Sequence, residues 1–215
     1  MRRYEAVLLD VDGTLVDSND AHAQAWVETL GKHGYEVAVA RAKSLIGMGG
    51  DKLIELVTGI PAGSKQNKQI SEDRSEVFRE RWLRAVRPLV GSRELVLRLR
   101  SEGYQYAIAS AAKADELEPL LDIADITDLV PIRTTSSDVE HSKPDPDILE
   151  AAYARLYAER SRTVMVGDTP YDVRAGKDAG IDVIAVTTGG WSVEALAGAV
   201  AVFTGPRALA DGFPT

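Results

Sequence analysis

Two aspartates one residue apart close the first apolar run of this sequence, in Leu8-Leu9-Asp10-Val11-Asp12-Gly13-Thr14. Carboxylates this close repel each other unless a cation or a shared proton lies between them, and an all-oxygen donor set suits Mg2+. Gly13 frees the backbone to turn back, and Thr14 adds a hydroxyl beside the acids. Taken alone, Asp-Gly also reads as a polar turn after a strand. Further groups weigh against that reading: Ser110, which ends the run Tyr104–Ala109; Lys143, in the loop His141-Ser142-Lys143-Pro144-Asp145; and Asp168, which follows Val164–Val166. Three carboxylates, a hydroxyl and an ammonium match the needs of phosphoryl transfer to a carboxylate. Asp10 then serves as nucleophile, while Mg2+ held by Asp10, the Asp12 carbonyl and Asp168 neutralises phosphoryl oxygens. Lys143 and Ser110 hold the remaining oxygens, with Gly13 and Thr14 in the turn beside them. Asp12, displaced from the phosphorus, protonates the leaving oxygen and then activates a water against the aspartyl phosphate.

Each member also has a purely structural reading. Ser110 can cap the helix after it, and Lys143 can be a solvated loop lysine. Thr169-Pro170-Tyr171-Asp172 reads as an N-cap, a proline at the first helical position and an acid three residues after the cap, so Asp172 either closes a capping box or helps to hold the metal. Asp168 precedes that cap and is not needed by it, which makes it the firmer ligand. Placement joins the set, because the strand ends of an open α/β sheet converge on one crevice.

The elements that must position these groups follow from hydrophobic periodicity. Strands are expected at Tyr4–Leu9, Tyr104–Ala109, Leu129–Arg133, Val164–Val166, Val183–Val186 and Val200–Phe203. Helices alternate with them: Ser92–Glu102; Lys113–Ala124, interrupted at Pro119; Pro146–Tyr157, with Asp145 as N-cap; and Tyr171–Ala179, ended by Gly180. This alternation implies an α/β fold, a doubly wound parallel sheet of Rossmann-like form. Between the first two strands lies a block read as wholly helical. It contains Asp20–Lys32, with Ala21, Ala25, Trp26 and Leu30 on one apolar side, then Ala38–Leu45, Asp51–Thr58, and a charged segment capped by Ser64. The division expected is a core of residues 1–15 and 87–215 and an inserted helical cap of residues 16–86. Gly47-Met48-Gly49-Gly50 is read as a flexible cap loop that selects substrate, with Gly49, Lys52 and His22 as candidate substrate contacts.

At 215 residues the chain can bury a full core. The lack of cysteine removes disulfides, thiol nucleophiles and cysteine-based zinc sites. A formal charge of −8 argues against nucleic-acid or anionic-membrane partners, so an anionic substrate must be met by local positive groups. Met1-Arg2-Arg3-Tyr4 looks briefly like a signal-peptide start, but the apolar run after it extends only over Ala6–Leu9, and no stretch reaches transmembrane length. The expectation is a soluble cytoplasmic protein acting on a small phosphorylated metabolite.

The order DVDGT, Ser110 after Ile108-Ala109, KPDP and GDTPYD resembles the four motifs of the haloacid dehalogenase superfamily over nearly the whole chain. The helical block resembles that superfamily's alpha-helical cap of the first type, as in phosphoglycolate phosphatase and beta-phosphoglucomutase relatives. The resemblance implies Asp10 as nucleophile, Asp12 as acid and base, Ser110 and Lys143 as phosphate binders, and Asp168 with Asp172 at magnesium. Ala111 and Ala112 depart from relatives that carry a polar residue after the serine. Asp12 points to phosphate esters rather than halides or phosphonates. Thr14 points to a phosphatase rather than a sugar phosphomutase, although Asp17–Trp26, with His22, resembles the start of the cap in the mutases. A phospho-aspartate receiver switch would use a similar Asp, Ser or Thr, and Lys. A second carboxylate that activates water, and a lid that excludes it before transfer, tell against a switch.

Overall fold

A four-residue strand, β1 (Ala6–Leu9), lies at the centre of the molecule and is buried on both faces. The computed structural model describes residues 3–214, so Met1 and Arg2 of the signal-like start, and Thr215 at the end of the expected core span, lie outside the described residues. After β1 come β2 (Val16–Asp17), α1 (Asn19–Lys32), α2 (Val39–Lys43), α3 (Gly50–Thr58) and α4 (Lys65–Val77). α4 continues through a π-helical turn (Phe78–Trp82) and a 3-10 turn (Leu83–Ala85) to β3 (Arg87–Pro88). The chain then alternates: α5 (Ser92–Ser101), β4 (Gln105–Ala109), α6 (Ala114–Ile123), β5 (Arg133–Thr134), α7 (Asp147–Tyr153), β6 (Thr163–Gly167), α8 (Pro170–Ala179), β7 (Asp182–Val186), β8 (Ala201–Phe203) and α9 (Pro206–Gly212).

Six strands form one parallel sheet in the order β5-β4-β1-β6-β7-β8. Leu9 lies opposite both Ile108 of β4 and Val166 of β6, so these three strands end side by side. Successive side chains of a strand face opposite ways, and β1 obeys this: Val7 and Leu9 join an apolar layer with Leu95, Leu99 and Leu117, while Ala6 and Leu8 join another with Leu149, Ala152 and Ala175. Strand order runs outward from β1 on one side, to β4 and β5, before it resumes on the other with β6. Loops leaving the carboxyl ends therefore diverge around β1, and a crevice opens there.

α1 to α4 form the helical block inserted between β1 and β4, with an apolar cluster of its own around Trp26, Leu30, Leu53, Ile54 and Ile70. Ala21 and Ala25 of α1 instead pack into the sheet's layer. The apolar residues expected on one side of this helix thus divide between two cores, and α1 bridges them. Where the chain enters and leaves the block it pairs with itself: Val16 lies opposite Pro88 and Asp17 opposite Arg87 in an antiparallel two-strand ribbon. No strand was expected there, because two residues are too few to show a period.

Other boundaries also move. β1 begins at Ala6, not Tyr4, whose ring is buried and whose hydroxyl donates to Asp182 Oδ2 at 2.8 Å. The strand expected at Leu129–Arg133 covers only Arg133 and Thr134. Leu129 and Val130 are buried as core filling before Pro131, which has no N–H for a ladder. Pro119 does not interrupt α6. Only one backbone bond is lost, and Leu117, Leu120 and Leu121 around it are fully packed. Asp145 is not the N-cap of α7; Pro146 holds that position, and the Asp145 carboxylate pairs instead with Lys52. α7 ends at Tyr153 rather than Tyr157, which is left exposed.

Candidate active site

Asp10 immediately follows β1, and its N–H donates to Val166 O of β6 at 3.0 Å, which anchors it at the crevice floor. Its carboxylate is buried, and Lys143 Nζ donates to Oδ1 at 2.6 Å. The same ammonium lies 2.8 Å from Asp172 Oδ1, and Lys143 is only 1% exposed, so it is no solvated loop lysine. Asp168 follows β6 and is fully buried. Its Oδ1 accepts from Thr14 Oγ1 at 3.1 Å and its Oδ2 from Asn19 Nδ2 at 3.0 Å. Thr14 also lies 3.4 Å from Asp10 Oδ2, so its one proton is shared between carboxylates rather than turned to an open phosphate side. Gly13 has φ +73°, and a Cβ there would stand 2.1 Å from Asp168 Oδ2. Only glycine allows both the turn and this approach.

The capping-box reading of Asp172 holds, on one of its two oxygens. Oδ2 closes the capping box, accepting from Thr169 N–H at 3.1 Å and Thr169 Oγ1 at 2.7 Å. Oδ1 faces the Lys143 ammonium at 2.8 Å. Ser110 is buried and does not cap α6, which begins at Ala114. It accepts from Ala112 N–H at 3.1 Å, leaving its own O–H to donate.

Asp10, Asp168 and Asp172 each present a carboxylate oxygen within 4.8 Å of the others. Burial pushes the Asp10 carboxyl up to about 7, with Lys143 opposing and the neighbouring acids adding to the rise. Burial likewise drives Asp168 well above the usual carboxylate range, with Asp10 and Asp172 reinforcing it. Three buried carboxylates facing one ammonium leave an excess of negative charge that a further cation would balance. This buried, all-oxygen, acid-rich set fits Mg2+.

Asp12 is placed differently. Its Oδ1 lies 2.6 Å from Ser18 Oγ, which donates, and 2.7 Å from His22 Nε2. Arg74 Nη2 lies 3.3 Å from His22 Nδ1 and has only protons to offer, so Nδ1 accepts and Nε2–H donates to Asp12. Burial raises the Asp12 carboxyl, but His22, Ser18 and Arg74 together outweigh burial and hold it below its ordinary value. His22 stacks on Phe78 with centroids 4.0 Å apart. Arg74 closes the chain by donating to both oxygens of Glu116, at 2.7 and 2.6 Å. Arg74, Glu116, Ser18 and Asn19 were missed from sequence. Asn19 and Ser18 stand beside expected residues, but the Arg74–Glu116 pair spans 42 residues with no local signal.

A chamber of about 50 Å3 is bordered by Asp10, Asp12, His22, Met48 and Arg74. Trp26, Arg74 and Ala112 also line a cleft of about 640 Å3 between α3, α4 and α6. Gly49 and Lys52 border this cleft, but they are bound to the loop that carries Lys143. Gly49 N–H donates to Lys143 O at 3.0 Å, and Lys52 Nζ reaches Ser142 O at 2.5 Å and Asp145 Oδ2 at 2.8 Å. Ser142 Oγ donates to Asp51 Oδ1 at 2.6 Å.

A parallel α/β sheet with carboxylates at adjoining strand ends and a helical insertion after the first strand defines a class of hydrolases. A family model described as haloacid dehalogenase-like hydrolase matches residues 7–186, and the chain belongs to that family. It is 31% identical over 193 residues to the pyrophosphatase PpaX of Bacillus velezensis, covering 90% of this chain and 86% of that protein. A hydrolase from Pseudomonas syringae superposes with a TM-score of 0.87 at 28% identity, over 96% of both chains. The beta-phosphoglucomutase of Clostridium difficile shares the fold, with a TM-score of 0.82 at 19% identity over 95% of this chain and 92% of that one. Among the described residues no helix is long and apolar enough to cross a membrane.

Proposed function

We propose that this protein is a Mg2+-dependent phosphatase that hydrolyses a small phosphorylated metabolite through a phosphoryl group carried on Asp10. The observation behind this reading is the meeting of Asp10, Asp168, Asp172 and Lys143 in one buried cluster beside a small chamber that Asp12 also borders. Asp10, Asp168 and Asp172, with the Asp12 carbonyl, would hold Mg2+, whose chemistry is to neutralise phosphoryl oxygens. Asp10 attacks phosphorus with one carboxylate oxygen as the ester bond breaks. Lys143 and the Ser110 hydroxyl bind phosphoryl oxygens and orient the group in line with Asp10. Asp12 is held as a carboxylate by His22 and Ser18, the form that takes a proton from the water attacking the acyl phosphate. In the first step the leaving oxygen takes its proton from the protonated form of Asp12, and the attacking water's proton restores that form as Asp10 is released as a carboxylate with phosphate.

The chamber beside Asp10 has room for little more than the phosphoryl group, so the leaving group occupies the 640 Å3 cleft, within the usual size of small-molecule sites. That space favours an organic leaving group. The PpaX similarity makes pyrophosphate the inorganic alternative. Residues 16–86 act as a cap over the core of 1–15 and 87–215, hinged at the β2–β3 ribbon. Phosphate release from a panel of phosphorylated metabolites, including phosphoglycolate, sugar phosphates and pyrophosphate, with and without Mg2+, tests the reading. Turnover unchanged by Mg2+ removal overturns it. Hexose 1-phosphate separates phosphatase from mutase: stoichiometric phosphate release sinks the mutase, and conversion to the 6-phosphate sinks the phosphatase.

A further inference from the structure

Asn19 is the first residue of α1, where the chain leaves the core for the helical block, and it is buried. Facing a carboxylate, its amide must present the NH2 group, and Nδ2 donates to Asp168 Oδ2 at 3.0 Å. That leaves Oδ1 as a buried acceptor with no hydrogen-bond partner among the described residues. Such orphans are rare, because a buried acceptor without a donor forfeits its hydration. The surrounding backbone is cut back to let this contact form. A Cβ on Gly13 would stand 2.5 Å from Asn19 Nδ2, and one on Gly189 would stand 1.9 Å from Asp168 Oδ2. Helix capping does not explain the residue, since the N-cap position is Ser18 and Asn19 makes no capping bond.

We propose that Asn19 is a positioning residue for the cation: its Nδ2 fixes the rotation of the Asp168 carboxylate, and its Oδ1 is the acceptor available to the cation's hydration shell. Mg2+ keeps several of its waters when bound, and groups that orient its ligands tune its affinity. The inference rests on reading Asp10, Asp168 and Asp172 as the Mg2+ site. It also places the first residue of the cap helix in contact with a metal ligand, so that cation site and cap share one hydrogen bond.

Calorimetric titration of the full chain with MgCl2 tests this, comparing wild type, Asn19→Ala and Asp168→Asn. Asn19→Ala is expected to bind Mg2+ about tenfold more weakly or worse. Its kcat should recover as Mg2+ is raised, and its KM for the best phosphate ester at saturating Mg2+ should stay within about twofold of wild type. Unchanged Mg2+ affinity in Asn19→Ala overturns the inference. If wild type takes up no Mg2+, or Asp168→Asn binds it equally well, the metal reading falls first and Asn19 with it. Should Asn19→Ala not fold, Asn19→Leu keeps the number and branching of side-chain heavy atoms without their hydrogen-bonding groups. A smaller Mg2+-induced rise in its melting temperature than in wild type supports the inference, and an equal rise refutes it.

Discussion

Lys143 stands between the carboxylates of Asp10 and Asp172 with almost no solvent around it, so its charge acts on the crevice nearly unscreened. Removing it as Lys143→Met should lower kcat by about 10^2–10^3, the usual loss when one oxyanion donor is deleted; a loss under tenfold in steady-state phosphate release would argue against its role. Asp10→Asn should abolish turnover, by about four orders of magnitude, while circular dichroism and the melting curve show a folded protein. Retained Mg2+-dependent phosphatase activity refutes Asp10 as nucleophile. Glu116 offers a test in pH. Burial raises its carboxyl, but Arg74, then His22 and Ser75, outweigh burial and hold it below the ordinary value. A carboxyl lowered by folding stabilises the protein above its unfolded pKa, and that stabilisation is lost as pH falls through the lower folded value. Wild type should therefore lose urea resistance as pH falls below the ordinary glutamate range, and Glu116→Gln should lose less over that fall. At neutral pH the variant should be less stable by about 3 kcal/mol, since Arg74 is left buried without its partner.

At the scale of elements, the amino-terminal end of α3 grips the loop that carries Lys143. Contacts from Gly49, Asp51 and Lys52 fall on Ser142, Lys143 and Asp145, both sides of the lysine included. The segment read from sequence as a flexible specificity loop is therefore a docked one, and its glycines serve close approach: a Cβ on Gly49 would stand 1.8 Å from Ser142 Oγ. The Lys52–Asp145 pair is partly exposed, so a double-mutant cycle on stability should give less than about 1 kcal/mol of coupling. Lys52→Ala should nonetheless reduce kcat several-fold, because the loop bearing Lys143 loses one of its tethers; an unchanged kcat would show that the tether is idle. A second seam joins the same two parts of the chain, where Arg74 meets Glu116 and Arg79 meets Asp115, both acids on α6. The helix boundaries were legible wherever a cap or stop was local, as at Ser64, Thr169 and Gly180. Pro119 and Asp145 were misread because burial in the one case and a lysine 93 residues away in the other outweighed the local preference.

For the whole molecule, binding of a cation by the native cluster alone should raise stability by mass action. At Mg2+ near 100 times its Kd the gain is about 2.7 kcal/mol, or about 5–10 °C in Tm for a chain of this size, and Asp168→Asn should show little of it. The same melting curves with EDTA supply the baseline. The sequence by itself determined the alternation of strands and helices, the helical insertion and the residue types of the site. Apolar periods of two and 3.6, glycine stops and the order of the motifs are all written locally. Asp10, Asp12, Ser110, Lys143 and Asp168 could be proposed together because a parallel sheet brings its strand ends to one edge. Only the tertiary structure decided which oxygens face which partners. Asp172 divides its two oxygens between a helix cap and the crevice, Thr14 gives its proton to carboxylates, and Asp12 is held by His22, Arg74 and Glu116 in series. These pairings join positions up to 154 residues apart. They depend on packing distances of about 3 Å that no local pattern encodes.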